Sequence, residues 1–559
     1  MVKCFAHCRC SSKFTRKPRL RFQIRLHVNG AANFRTEARS GCWSRRATRR
    51  GSVNRRLRIS KLPPIALALV VIACVDAGCT LGPDYVRPAV STPPNYRFAD
   101  AAAPAPSATL ADVPAWWRAF GDSELDALVD EGLAANHDLR IATARVDEFA
   151  ALVVTSRAQA LPQLGYGAGA SRQSVSRNAT SLPAGVNPIS ENYSTLLSAS
   201  WELDLWGKIR RENEAAQANL FATEEARLGV ALTLVSTIAT SYITLLDLDR
   251  QLEIAQATLD GRKSTVAVFQ MRLDGGAVSE FEMMQVTAEY ETAASAIPVL
   301  QQAIAQQEHA LCVLIGRNPG PIRRGRSLQQ LATPPVPGGL PSDLIARRPD
   351  ILQAEQQLVA ANALIGAARA LYFPSVSLTA SGGVASRQLD NLFAGPSRTW
   401  SFAGQLLGPL FSGGAIDAAN QQAEARREQA LEIYQQTIQS AFRDVDDALA
   451  AIQAKRALIA SLQRQVTALK RAVELTRERY DNGYTDYLEV LDTERSLFSA
   501  ELSLSAARGD GYRSLVSLYR ALGGDWIAQV APLPVAQQPT AHEHGSDAAR
   551  VPGTRPAPR

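Results

Sequence analysis

Residues 271–282, MRLDGGAVSEFE, and residues 478–489, ERYDNGYTDYLE, carry one pattern at an offset of 207: Arg272/Arg479, Asp274/Asp481, Gly276/Gly483 and Glu282/Glu489. Asp-Gly-Gly and Asp-Asn-Gly are turns that end a helix through a residue at positive φ. Working outward, the offset holds back to Gly207/Gly414, Ile209/Ile416, Asn213/Asn420 and Ala216/Ala423, and forward to Gly316/Gly523. Further upstream it becomes 212, pairing Asp138/Asp350, Ala142/Ala354, Arg157/Arg369, Ala158/Ala370 and Pro162/Pro374. Residues 131–316 and 343–523 are thus two copies of one unit. The five-residue loss is confined between the prolines and the glycines, as expected of a tandem structural repeat with a variable loop.

Each copy predicts the same order of elements. Helical segments over 123–158 and 343–371 carry apolar residues at helical spacing (Leu125, Leu128, Val129, Leu133; Ile351, Leu358, Ile365) and stop before Pro162 and Pro374. Two strand-like runs follow, near the ten residues of a tilted membrane strand. Tyr193, Thr195, Leu197, Ala199, Trp201 and Leu203 alternate mainly with polar or small residues, as do Val376, Leu378, Ala380 and Val384, with loops near 177–192 and 388–397. A helix then starts near Ile209 or Ile416 and meets no proline before the turn. Some 65 residues at 1.5 Å each would reach about 100 Å, far too long to stand without a coiled-coil-like partner. The returning helix, to about Ile315 and Leu522, supplies one. Two strands per copy make four per chain, too few to close a membrane barrel, whose smallest form has eight. Two chains would give eight strands, three would give twelve.

A pI near 9.1 suggests a nucleic-acid partner only until the charge is located, and none is expected. Residues 1–60 hold 17 Lys/Arg and one acid, Glu37, so of the chain's net +7 this head supplies +16 and residues 61–559 carry −9. Cys4, His7, Cys8 and Cys10 sit in Arg/Ser-rich surroundings without a core-forming pattern, and no metal is expected there. Residues 62–75, LPPIALALVVIACV, preceded by Arg55, Arg56, Arg58 and Lys61, form an export signal too short to span a bilayer. Cys74 after Val-Ile-Ala and Cys79 after Asp76-Ala77-Gly78 compete as the lipidation site. The 52 residues ahead of the signal suggest translation from Val53. A mass measurement of the intact precursor is expected to start there, and a tryptic peptide from residues 1–50 would disprove it.

Cys79-Thr80-Leu81-Gly82-Pro83-Asp84-Tyr85-Val86-Arg87-Pro88 resembles the mature start of outer-membrane efflux lipoproteins of the NodT type, within the TolC/OprM family. So do Arg348-Pro349-Asp350-Ile351, Ala354-Glu355, Ala360-Ala361-Asn362-Ala363, Ile365-Gly366-Ala367-Ala368-Arg369-Ala370 and Phe373-Pro374, with Trp201-Glu202-Leu203-Asp204-Leu205-Trp206-Gly207 and Leu314-Ile315-Gly316. The resemblance covers about 79–526. It implies a mainly α fold with a membrane β-barrel part: a TolC-like homotrimer with one 12-stranded barrel continued by a periplasmic coiled-coil tunnel. It further implies lipid on Cys79, a periplasmic adaptor (membrane fusion protein), an inner-membrane pump of the resistance-nodulation-division class and no cofactor. The divisions follow: leader 1–52, signal 53–78, lipidated segment 79–122, repeats 123–320 and 343–526 about a linker 321–342, and a tail 527–559 without a core-forming pattern.

By the same resemblance the two turns form the tip where adaptor hairpins insert, at Gly276, Ala277, Val278, Ser279 and Glu280 and at Gly483, Tyr484, Thr485, Asp486 and Tyr487. Leu488, Asp492 and Arg495, at spacings of four and three, share a helix face. Matching positions of OprM-like members line the resting aperture, with Tyr480 and Arg495 tying neighbouring helices. Copy one has Gln285 opposite Asp492, so any carboxylate ring belongs to copy two. An enzyme is not expected: the body has one cysteine (Cys312), two histidines (His137, His309) and no phosphate-binding glycine loop. A duct for type I protein secretion is the alternative function, and a purely structural coiled coil a third.

Overall fold

The computed structural model describes residues 80–98, 115–176, 178–179, 183, 185–336, 341–524 and 527. Cys74, Cys79, the leader and the tail beyond Ile527 lie outside the described residues. The first copy runs α1 (Ser123–Ala135), α2 (His137–Ala158), β1 (Gln163–Ser174), β2 (Ile189–Leu203), α3 (Lys208–Asp274) and α4 (Glu280–Leu314). The second runs α5 (Pro341–Arg347), α6 (Pro349–Ala370), β3 (Ser375–Ser386), β4 (Arg398–Leu407), α7 (Ala415–Asp481) and α8 (Tyr487–Leu522). Bounds of α2/α6 and β1/β3 keep the 212 offset, and those of α3/α7 keep 207. The expected helical segments break at matched positions, Asn136 and Arg348. The five-residue loss is spread between the sheet's loop, its second strand (15 residues in β2 against 10 in β4) and a longer exit to the long helix.

The strands form one antiparallel sheet in the order β1-β2-β3-β4, leaving β1 and β4 as open edges. Its register sorts the side chains by face. One face carries Leu164, Tyr166, Leu197, Trp201, Leu203, Val376, Leu378, Val384, Trp400, Phe402 and Leu406. The other carries serines, glycines, Asn192, Thr379, Thr399 and Gln405, with Leu196 and Leu407 as its large apolar members. The apolar face is uncovered: Tyr166 is 90% and Trp400 84% exposed. Unpaired edges and a bare apolar face are untenable in water but suit a strand set closed by other copies within lipid.

Below the sheet the helices make a wall. Both long helices have 67 residues, about 100 Å at 1.5 Å per residue. Their partners are shorter: 22 residues in α2 and α6, 35 in α4 and 36 in α8. The short helices meet end to end. Asn136, which caps α2 by accepting from Leu139 N at 2.9 Å, donates Nδ2 to Leu314 O at 2.8 Å in the last turn of α4. At the matched position Arg348 donates Nη1 to Ala521 O at 2.9 Å in the last turn of α8. C-terminal carbonyls that a helix leaves unpaired are thereby satisfied by the next helix's cap.

Around the first junction lies the main core, with Trp116, Trp117, Phe120, Leu125, Ile238, Tyr242 and Tyr519 all buried. Trp116 stacks on Tyr519 at 5.1 Å. The inter-repeat linker packs tightly: Ile322, Leu328 and Leu331 are buried, Tyr512 and Tyr519 donate to Leu331 O and Pro335 O at 2.8 and 2.7 Å, and Arg326 N reaches Asp122 at 2.8 Å. Residues 80–98 form a strap that starts against copy one and runs on along copy two. Leu81 N donates to Trp206 O (3.3 Å), Asn362 Nδ2 to Pro83 O (2.9 Å), Arg211 to Asp84 (2.7 Å) and Arg87 to Glu355 (2.6 Å). Gly82 crosses Gly366 so closely that a Cβ on Gly82 would stand 2.5 Å from the Gly366 Cα.

The two faces make opposite predictions. Phe402→Arg puts a cation on the apolar face at mid-strand and costs about 2–4 kcal/mol in a bilayer-inserted sheet, while Ser401→Arg, on the polar face, costs little. The fraction reaching the heat-modifiable folded form in detergent reads both, and equal losses would contradict the facing.

Candidate functional site

The ends of α3 and α7 close in the same way. Ala277 N donates to Arg272 O (2.7 Å) and Gly276 N to Leu273 O (2.9 Å); Tyr484 N donates to Arg479 O and Gly483 N to Tyr480 O, both at 2.9 Å. Gly276 and Gly483 sit at φ 70° and 74°, where a side chain is strained, and no atom lies within 4 Å of either missing Cβ. The turns are thus built by backbone and are open to contact. Ala277, Ser279, Glu280, Tyr484 and Asp486 are exposed, Val278 and Thr485 half-buried.

The restarts differ. Ser279 makes a full capping box with Glu282: Ser279 N donates to the carboxylate at 2.7 Å, and the hydroxyl accepts from Glu282 N at 3.2 Å. Those bonds hold the Glu282 carboxyl below its ordinary range. Asp486 starts α8 without a side-chain cap bond; Thr485 instead donates to Glu489.

Behind the turns Phe269, Met283, Val286, Tyr487, Val490 and Leu491 form a small core of their own. Tyr480 packs on it, its ring 5.0 Å from Tyr487, and accepts a hydrogen bond from Arg272 Nη1 at 2.8 Å. Arg272 also lies over the Tyr480 ring at 5.4 Å. Burial pushes the Tyr487 hydroxyl up to about 12, so it stays neutral.

The structure brings together some of the expected gate residues and adds others. Leu488 (59% exposed) and Asp492 lie on the uncovered side of α8. Arg495 pairs with Glu289 of α4, its Nε at 3.2 Å and Nη2 closer, while Asp492 acts on it only through its charge. Arg262 of α3 donates to the Glu289 backbone carbonyl and lies 3.1 Å from its carboxylate. One carboxylate, 12% exposed, therefore joins three helices: α3 through a buried arginine (6%) and α8 through an exposed one (60%). This bond raises the Arg495 pKa. Sequence spacing missed Glu289, because its partners are 27 and 206 residues away. The available signal was repeat asymmetry: Glu289 matches Ser496 and Arg495 matches Ala288, so both charges are unshared between copies. Tyr480, which matches Leu273, follows the same rule.

The pair makes an asymmetric prediction. Glu289→Ala removes the carboxylate facing the buried Arg262 guanidinium, which keeps its bond to the residue-289 carbonyl, and costs about 1–3 kcal/mol, whereas Arg495→Ala removes an exposed partner worth about 0.2–1 kcal/mol. Hydrogen exchange across 280–314 should rise far more in the first variant; equal effects would refute the shared-carboxylate account.

The family model for outer membrane efflux proteins matches residues 128–317 and 340–524, one match per copy. The chain is 36% identical over 475 residues to the solvent efflux pump outer membrane protein SrpC of Pseudomonas putida, covering 84% of this chain and 99% of that one. It is 36% identical over 467 residues to the cation efflux system protein CusC of Escherichia coli K12, covering 83% and 99%. The open-state crystal structure of the MtrE outer membrane channel of Neisseria gonorrhoeae superposes with a TM-score of 0.72 at 32% identity, covering 80% of this chain and 98% of that one. A two-faced sheet of four strands on a wall of paired long helices, duplicated within one chain, is that fold. The chain belongs to the outer membrane efflux protein family and is an outer-membrane efflux channel subunit, a passive duct and not an enzyme.

Proposed function

We propose that three copies close the sheet edges into a twelve-stranded barrel. Their walls would form a periplasmic tunnel for small molecules delivered by an inner-membrane pump of the resistance-nodulation-division class through an adaptor. The observation carrying this reading is the four-stranded sheet with an uncovered apolar face and two open edges, continuous with 67-residue helices. Relatives named for solvent and cation efflux favour small cargo over protein secretion.

The exposed turns offer the adaptor backbone and small side chains at Gly276–Glu280 and Gly483–Asp486. Three Asp492 carboxylates about the axis, beside Leu488, would make a cation-attracting aperture. Arg495–Glu289 and Arg272–Tyr480 hold α8 and α7 against copy one, so opening must release or swing these pairs. The strap supports Cys79 as the lipid carrier. Thr80 lies where a Cβ on Gly207 would meet it at 3.0 Å, beside the base of the sheet. Several acyl chains there would anchor firmly.

Native mass spectrometry of detergent-extracted protein should give three chains per particle, each carrying acyl mass that Cys79→Ala removes and Cys74→Ala does not. A monomer or dimer would overturn the trimer, and acylation surviving Cys79→Ala would move the anchor.

A further inference from the structure

The polar face of the sheet bears one ionisable side chain among the described strand residues. β1 contributes Gln163, Ser171, Gln173 and glycines, β3 Ser, Thr, Gly and Ala, β4 Thr399, Ser401, Ala403, Gln405 and Leu407. From β2 come Ser190, Asn192, Ser194, Leu196, Ser198, Ser200 and, last before the helices, Glu202. Glu202 is exposed and stands beside Ser377 of β3 and, through it, Gln405 of β4. Its neighbours Trp201 and Leu203 take the apolar face, so register alone turns the carboxylate to the opposite side.

The nearby charges do not cancel it. Arg210 is engaged by Asp204 at 3.2 Å, and Arg211 by Asp84 and Glu214 at 2.7 and 2.8 Å. Lys208 and Glu212 stand one turn apart on α3 and offset each other. Arg211 already faces two carboxylates, so the surrounding groups leave the Glu202 charge uncancelled. Copy two has no counterpart: Pro409 stands at the 207 offset, and Ala419 opposite Glu212.

We propose that Glu202 is a selectivity residue of the duct, a three-carboxylate ring where the helical tunnel enters the barrel, favouring cationic over anionic cargo. This rests on the trimeric reading above. Twelve strands about 4.8 Å apart, tilted by about 40°, give a backbone radius of about 12 Å, which brings inward carboxylates to about 10 Å from the axis. At 0.01 M salt, with a Debye length of about 30 Å, three such charges enrich a monovalent cation on the axis about fourfold; at 1 M, with about 3 Å, the effect vanishes. The ring therefore acts by weak, salt-dependent attraction and not by binding.

Two measurements on the full-length, membrane-inserted protein test it. In whole cells, Glu202→Cys should react with a membrane-impermeant, positively charged thiol reagent added outside; the native Cys312 is buried and serves as the unreactive background. Labelling by a lipid-soluble maleimide alone would place residue 202 on the lipid face and overturn the proposal. In planar bilayers under a KCl gradient near 0.01 M, Glu202→Gln should lower the K⁺/Cl⁻ permeability ratio several-fold, with no change near 1 M. An unchanged ratio at low salt, with the channel conducting normally, overturns the ring. Absence of any conductance in the unmutated protein would refute the trimeric duct instead.

Discussion

Everything below the sheet depends on how two helices of 67 residues find partners. Neither the 22-residue ascending helices nor the returns of 35 and 36 residues can flank one alone. A solitary helix of that length would present an apolar side to water along much of its course. The solution is end-to-end stacking, with a side chain at the start of one helix paired to the final carbonyls of another: Asn136 to Leu314 and Arg348 to Ala521. Each junction joins the start of α2 or α6 to the end of the hairpin that comes later in the same copy. The chain thereby becomes a wall of four tracks.

The two copies solve the junction with different chemistry. Asn136 uses a neutral amide, while Arg348 adds ion pairs to Asp350 at 2.7 Å and Asp444 at 3.3 Å, and is itself buried. A cation near a helix C-terminus is favoured by the helix dipole as well. Asymmetry recurs at the tip, where Glu289, Arg495, Tyr480 and Asp492 are each unshared, and at the barrel base, where Glu202 stands alone. A duplicated wall needs only its helix lengths, turns and core positions repeated. Where the copies diverge in charge, they distinguish otherwise near-equivalent hairpins.

Much of the architecture was legible because it is periodic or local. The 207 and 212 offsets fixed matching element bounds, proline and glycine marked the ends, and the two-residue strand period separated an apolar from a polar face. Gly276 and Gly483 were recognisable as turn-makers since their conformation depends on nearest neighbours. The breaks at Asn136 and Arg348 carry local marks, an asparagine cap and a following proline, but the end-to-end joint appears only when a carbonyl 178 or 173 residues away arrives.

The same division holds for the candidate site. Leu488, Asp492 and Arg495 could be placed on one helix face from spacing, but the target of Arg495 could not. Asp492, one turn away, gave way to Glu289, which lies beside Arg262 and 206 residues from Arg495. The sequence by itself determined helix length, strand polarity, the turns and the duplication, since each follows from the local preferences of consecutive residues. Only the tertiary structure decided which ends stack, where the linker and strap lie, and which carboxylate ties the hairpins together. Those are contacts between distant segments, and a long-range pair leaves no period in the chain.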